Sequence, residues 1–218
     1  MSKSKKHSKL VFIVDRSGSM SSIASDMEGA MKEIVENQKK NRKDKDIYVT
    51  YVRFDNKYEK VFSDVPIEDA EDMLIEPRST TALLDAMGKT INSVERSWSE
   101  DLEKDRADKV LFIIITDGLE NDSREFSKDQ VFEIIEKVKR DHGWAFTFIG
   151  ANQDAIAEGG AYGVDARSSI NYVASTEGIK GMARAVTNYT SSYLDGATGD
   201  ALSYTYDDRS IAMGEDDS

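Results

Sequence analysis

Leu10-Val-Phe-Ile-Val-Asp-Arg-Ser-Gly-Ser19 is the stretch on which the rest of the chain is read. Its first five residues form a continuous apolar run rich in β-branched side chains, the pattern of a strand buried on both faces. The run stops at an acid, Asp15, and Ser17, Gly18 and Ser19 follow. Small residues let the backbone turn tightly, and two hydroxyls fall within reach of the point that Asp15 faces. A strand buried on both faces belongs to a parallel sheet covered by helices, so helices and further strands should alternate along the chain.

They do. Ile23, Met27, Ala30, Met31, Ile34 and Val35 recur at helical spacing, and the polar stretch 37–46 closes that helix. Residues 47–54 and 58–62 read as two strands joined by a hairpin at Asp55-Asn-Lys57. Leu83, Met87, Ile91, Val94 and Trp98 keep a helical period. Val110-Leu-Phe-Ile-Ile-Ile115 is a second fully apolar strand and ends in Thr116-Asp117-Gly118. Ser127-Lys-Asp-Gln130 has the form of a capping box, with Val131, Ile134, Ile135 and Val138 as the buried stripe of the helix it opens. Residues 144–149 read as a strand and 170–173 as a short edge strand. Ile179, Met182, Ala183, Val186 and Tyr193 mark a last helix. The predicted fold is α/β. It has a doubly wound, mainly parallel sheet of about six strands, one of them an antiparallel edge strand, with helices on both faces. One domain is expected over 8–194. Residues 1–7 are read as a flexible basic arm, and 195–218 as an acidic, disordered tail, because large apolar residues become sparse after Asp195.

Composition narrows the chemistry. The 218 residues carry a formal net charge of −12 and contain no cysteine, which excludes disulfides and thiolate metal sites. An acidic chain is repelled by phosphate backbones and anionic lipid, so neither nucleic acid nor a membrane is an expected partner. The run Leu10 to Val14 is far shorter than a secretory apolar segment. No run approaches the roughly 20 residues of a membrane helix, so the expectation is a soluble, cytoplasmic chain. Met27, Met31, Trp98 and Trp144 read as core. The two histidines, His7 and His142, fall in the arm and in a late polar turn.

In open α/β sheets, ligands bind beyond the carboxyl ends of the strands. Two strands here end in an acid, at Asp15 and at Asp117. With the hydroxyls after Asp15, these are hard oxygen donors without nitrogen or sulfur, a set that selects Mg²⁺, with Mn²⁺ or Ca²⁺ as alternatives. If the two carboxylates sat about 5–6 Å apart they would repel by roughly 3 kcal/mol at an effective dielectric of 20, a penalty that a divalent cation removes.

Asp15-Arg-Ser-Gly-Ser19 resembles the DxSxS signature of von Willebrand factor A domains, the metal-ion-dependent adhesion site. Thr81-Ala-Leu-Leu-Asp-Ala86 is similar to that family's threonine motif, and Ile115-Thr-Asp-Gly118 to its second aspartate motif. The three stand in family order. The resemblance implies a Rossmann-like fold and a metal surrounded by Asp15, Ser17, Ser19, Thr81 and Asp117. One coordination position would stay open for an Asp or Glu of a partner protein. Thr80 is the rival for the threonine role. Gly150-Ala-Asn-Gln-Asp154 looks like stand-alone bacterial or phage members, with Asn152, Gln153 and Asp154 as candidate rim residues for the partner; the plainer reading of these three is a polar helix start.

Other readings fit the residues less well than this non-enzymatic one. Gly88-Lys-Thr90 lacks the glycine that a phosphate loop needs five positions earlier, where Leu83 stands, and it lies within a predicted helix. A haloacid-dehalogenase-like phosphatase expects a second acid two residues after Asp15, where Ser17 stands. A metal-dependent phosphoester hydrolase is the alternative function, although no general base or basic phosphate-binding group accompanies the motifs. A third possibility is self-association, with Asp207, Asp208, Glu215, Asp216 or Asp217 of the tail supplying the carboxylate.

Overall fold

β1 (Lys6–Asp15) runs through the middle of the molecule and is buried from Ser8 to its end. The structure is a computed structural model that describes residues 6–41, 45–151 and 154–215. The other elements follow in chain order: α1 (Ala24–Asn41), β2 (Lys45–Phe54), β3 (Tyr58–Pro66), α2 (Leu83–Glu100), β4 (Lys109–Thr116), α3 (Lys128–His142), β5 (Ala145–Ala151), α4 (Ala155–Ala161), β6 (Ser169–Tyr172), α5 (Thr176–Asp195) and α6 (Tyr206–Ala212). The sheet order is β3-β2-β1-β4-β5-β6. All neighbours are parallel except β2 and β3, whose tight hairpin makes β3 the antiparallel edge.

Alternation along the strands divides the core. Leu10, Phe12 and Val14 pack with Leu111, Ile113 and Ile115 beneath α1 and α5. Val11 and Ile13 pack with Val110, Phe112 and Ile114 beneath α2 and α3. Each such fully buried side chain is worth on the order of 2 kcal/mol, which is why both strands are apolar without interruption. The chain winds from β1 toward β2 on one side and from β4 toward β6 on the other. The reversal therefore lies between β1 and β4, whose last paired residues are Val14 and Ile115. A crevice opens beyond the strand ends at such a point.

Local signals act as expected at several ends. Ser127 and Gln130 form a reciprocal capping box at the start of α3, and Gly143 closes that helix in a left-handed conformation. Gly88 sits inside α2, where a Cβ would collide with the Phe126 ring, so the glycine of Gly88-Lys-Thr90 serves close packing.

The C-terminal region corrects the reading of 195–218 as a disordered tail. Residues 196–215 fold back on the domain, and Leu202, Tyr204, Ile211 and Ala212 are buried. Tyr204 stacks on Tyr189 at 4.8 Å, and its hydroxyl lies 2.6 Å from that of Thr147. α6 carries its own capping box, Thr205 with Asp208. It approaches α5 at Gly178 and Gly181, so backbone meets backbone and few large side chains are needed. Composition cannot register that kind of contact. The Asp208 carboxylate is engaged by Thr205 and that of Glu215 by Ser210. Asp216 and Asp217 lie outside the described residues. At the other end, Lys6 and His7 of the expected arm already belong to β1. No described helix is long and apolar enough to cross a membrane.

A Cβ at position 181 would run into the Ile211 carbonyl. Gly181→Ala should lower stability by about 1–3 kcal/mol through overpacking. Amide exchange should speed up across 202–215 before it does in the sheet. Hydrogen-exchange mass spectrometry with urea unfolding checks both, and unchanged exchange in 202–215 counts against this contact.

Candidate metal centre

Asp15 is the last residue of β1 and is fully buried. One carboxylate oxygen accepts the Ser17 amide at 2.6 Å, the geometry of an acid that starts a turn. The other accepts the Thr116 hydroxyl at 2.7 Å from the end of β4. That hydroxyl also lies 2.9 Å from the Gly118 carbonyl and accepts the Gly118 amide at 3.2 Å, so it ties both loops together. The loop after β1 is pinned from outside as well. The Arg16 amide donates to Phe54 O, the Gly18 amide to Ser79 O, and the Arg78 amide to Arg16 O.

The remaining donors converge on the same place. The Ser17 and Ser19 hydroxyls are 2.9 Å apart, and the Ser19 hydroxyl donates to Asp117 at 2.6 Å. Gly118 is open on the side where Ser19 Oγ and Thr81 Oγ1 each lie 3.7 Å from the position of a Cβ. The three sequence motifs, far apart in the chain, thus meet at one point on the sheet edge. Thr80 points elsewhere and donates to Asp122 at 2.7 Å, while Thr81 is buried beside Gly118.

What holds Thr81 there was missed by sequence reasoning. Its amide donates to the Asn121 side chain, and its carbonyl accepts from the amides of Asn121 and Asp122. Four residues on, Asp85 accepts the amides of Arg124, Glu125 and Phe126 at 2.9–3.0 Å. The loop that follows Asp117 is therefore fastened to the start of α2. Thr116 is part of the second aspartate motif in the sequence, and its position beside Asp15 follows from the strand register.

The electrostatics fit a cation. Burial raises the Asp15 pKa to about 6, against hydrogen bonds from Ser17 and Thr116, with the Asp117 charge adding a minor push. Asp117 is also raised, again chiefly by burial. Desolvation, more than the mutual repulsion expected from the sequence, is what disfavours the two anions. Arg16, between Asp15 and Ser17, gives no relief: its guanidinium turns away to Glu59 at 2.5 Å and toward Asp55 at 3.6 Å. Two carboxylates and three hydroxyls, all oxygen, suit a hard divalent ion that keeps part of its water shell. Among the described residues no group of three or more His, Cys, Asp or Glu side chains is arranged to hold a metal.

Of the other candidates, Asp154 caps α4, accepting the amides of Ile156 and Ala157, as the plainer reading had it. Asn152 and Gln153 lie outside the described residues. His142, the last residue of α3, sits among Trp98, Trp144 and Glu95, just before β5 begins. That is the opposite end of the sheet from Asp15 and Asp117.

Behind the site, Glu59 accepts from Arg53 at 2.9 Å and from Arg16 at 2.5 Å. The Arg53 hydrogen bond, with Arg16 in support, holds its pKa at about 2, well under the ordinary 4.5. A depressed acid contributes stability that is complete above its unfolded pKa and is lost as pH falls through the folded one. Glu59→Gln should therefore cost about 1 kcal/mol at pH 7, a modest figure because the carboxylate is 40% exposed. The gap to wild type should narrow as pH drops from about 4.5 toward 2. Urea unfolding across that range checks it, and a gap independent of pH would refute the assignment.

A family model described as von Willebrand factor type A domain matches residues 9–191. No curated protein matches the chain. Among solved structures, a von Willebrand factor type A protein from Catenulispora acidiphila aligns with a TM-score of 0.61 at 14% identity, covering 86% of this chain and 43% of that one. The ArnB paralog VWA2 from Sulfolobus acidocaldarius gives 0.55 at 19%, covering 87% and 46%. Proximal thread matrix protein 1 from the mussel byssus, in a structure with a zinc-occupied MIDAS motif, gives 0.56 at 16%, covering 85% and 46%. The chain thus spans less than half the length of each of these structures, and at such identities the likeness concerns the fold.

Proposed function

This chain belongs to the von Willebrand factor type A domain family, and on that premise we propose that it is a Mg²⁺-dependent protein-binding module, not an enzyme. Domains of this family commonly bind protein partners. In our reading Asp15, Ser17, Ser19, Thr81 and Asp117 surround the ion, directly or through water. A partner protein then presents an Asp or Glu side chain to the open side. The observation that carries the proposal is the convergence of two buried, disfavoured carboxylates with three hydroxyls at the strand switch point.

Each residue has a distinct task. Asp15, held rigidly by Ser17 and Thr116, offers a carboxylate whose direction is set before any ligand arrives. The Ser17 and Ser19 hydroxyls turn lone pairs toward the site, and Ser19 orients Asp117. Thr81 closes the ring from the start of α2, and Gly118 keeps the space between them free of side chain. When bound, the ion neutralises the two acids and supplies a Lewis-acidic position that converts one partner carboxylate into an anchoring contact. The neighbour with zinc at its MIDAS motif shows what that protein can hold. Here the donors are oxygen alone, which favours Mg²⁺ over zinc, with Mn²⁺ or Ca²⁺ as substitutes. Asn152, Gln153 and Asp154 are proposed as rim residues, Asp154 in addition to its capping role.

A ligand that binds only the folded state at 100 times its Kd stabilises by about 2.7 kcal/mol, about 5–10 °C for a domain of this size. Saturating Mg²⁺ should raise the melting temperature by that order, and Asp15→Ala should remain folded but show no rise. In a pull-down from host extract, a partner should be retained by wild type with Mg²⁺, and lost both in EDTA and with Asp15→Ala as bait. The same proteins bound under all three conditions would defeat the metal-bridged mechanism.

The threonines give a sharper contrast. Thr81→Ala should weaken Mg²⁺ binding severalfold, whereas Thr80→Ala, which removes only an exposed bond to Asp122, should leave it unchanged. Calorimetric titration separates them, and equal effects would show the threonine assignment to be wrong.

A further inference from the structure

The buried tyrosines of this protein are, with one exception, satisfied. Tyr51 donates to Leu74 O, Tyr162 to Glu158, Tyr189 to Ser168 and Tyr193 to Val110 O, while Tyr204 shares a hydrogen bond with Thr147. Tyr172 is 2% exposed, yet its hydroxyl has no hydrogen-bond partner. Tyr58 shares that lack but is only partly buried. A buried hydroxyl without a partner is a destabilising feature that folds rarely keep without a reason.

The position of Tyr172 suggests the reason. It is the last residue of β6 and pairs in register with Ala151, the last residue of β5. One step back, Gly150 pairs with Thr116, the last residue of β4. Asp117, one step beyond Thr116, therefore continues the row Ala151–Tyr172 across the carboxyl edge of the sheet. The same parity holds deeper in the strands, where Ile115, Ile149 and Ile170 share one face and one core cluster with Ala151 and Tyr172. Between Asp117 and Tyr172 the row holds only the methyl group of Ala151, which leaves room for the ring to extend toward the acids. In keeping with this, burial raises the Tyr172 pKa, and the charges of Asp117 and Asp15 add to it. Asp117, for its part, accepts the Ser19 hydroxyl.

We propose that Tyr172 is a positioning residue of the metal site, its buried hydroxyl held in reserve to donate a hydrogen bond into the ligand oxygens on the Asp117 side when the ion is bound. The proposal rests on the Mg²⁺ reading given above. Hydrogen bonds of this kind fix the direction of a ligating carboxylate, and their loss typically weakens metal affinity 10–100-fold. The same hydroxyl is a liability in the metal-free protein, where nothing accepts its proton. Removing it should therefore act in opposite directions on the two states. A tyrosine that merely packs would not behave in that way.

The test uses Mn²⁺ as probe and the full chain as wild type, Tyr172→Phe and Asp15→Ala, with affinity from calorimetry and stability from metal-free melting. The expected result is a Mn²⁺ Kd about tenfold higher for Tyr172→Phe, with a metal-free melting temperature equal to or above that of wild type. An unchanged Kd overturns the role of Tyr172 while wild-type binding keeps the metal reading intact. A weaker Kd accompanied by a lower metal-free melting temperature also overturns it, because the side chain would then be supporting the fold. If wild type binds no more Mn²⁺ than Asp15→Ala, the metal reading falls and this inference falls with it.

Discussion

Everything at the sheet edge depends on the desolvation of one carboxylate. β1 is buried along both faces because it lies inside the sheet between β2 and β4, and Asp15 ends it without leaving the interior. The acid is therefore denied water before any ligand is considered, and burial is the main reason its pKa stands near 6. The surroundings supply an amide and a hydroxyl, enough to aim the carboxylate but not to balance its charge. Thr116, Ser17 and Ser19 are placed by the same constraint, since Thr116 ends β4 and the two serines occupy the short turn where β1 stops.

The fold was legible in the sequence because its strands are apolar without interruption and its helices keep a clean period. The predicted strand positions and the capping box of α3 are found within a residue or two, apart from an earlier start of β1 and a later end of β3. The five proposed ligands were legible for a different reason. Short motifs of acids and hydroxyls at strand ends survive in one dimension, because each motif is contiguous. What ties the motifs to one another is not contiguous. The clasp of Asp85 on the amides of 124–126 links residues some 40 positions apart, and no local pattern announces it.

The C-terminal segment failed to show itself for a third reason. A scarcity of large apolar residues argues for disorder when order must come from side-chain burial. Here the close approach is between backbones, at Gly178 and Gly181, and two residues complete the contact. Tyr204 reaches the sheet to meet Thr147, and Arg209 donates to the carbonyls of Ser169 and Ala166. Tyr204, without an explanation in the sequence, turns out to be the anchor of the segment.

Acidity alone does not mark a functional acid in this protein, and the four buried aspartates of this region make the distinction physical. Asp55 is fully buried but receives Arg78 at 2.5 Å and the Lys57 amide, with Arg16 nearby. Asp85 receives three amides. Both are complete as structural elements: one is neutralised by guanidinium groups, the other solvated by the backbone. Asp15 and Asp117 are held by hydroxyl and amide donors, and among the described residues neither forms an ion pair. A buried pair of acids left without countercharge is unstable as a structural arrangement, since apolar residues of the same size would fold at least as well. At the point where the strand order reverses, such a pair calls for neutralisation, by a proton or by the ion proposed above. That argument needs no family likeness, and it arrives at the same residues.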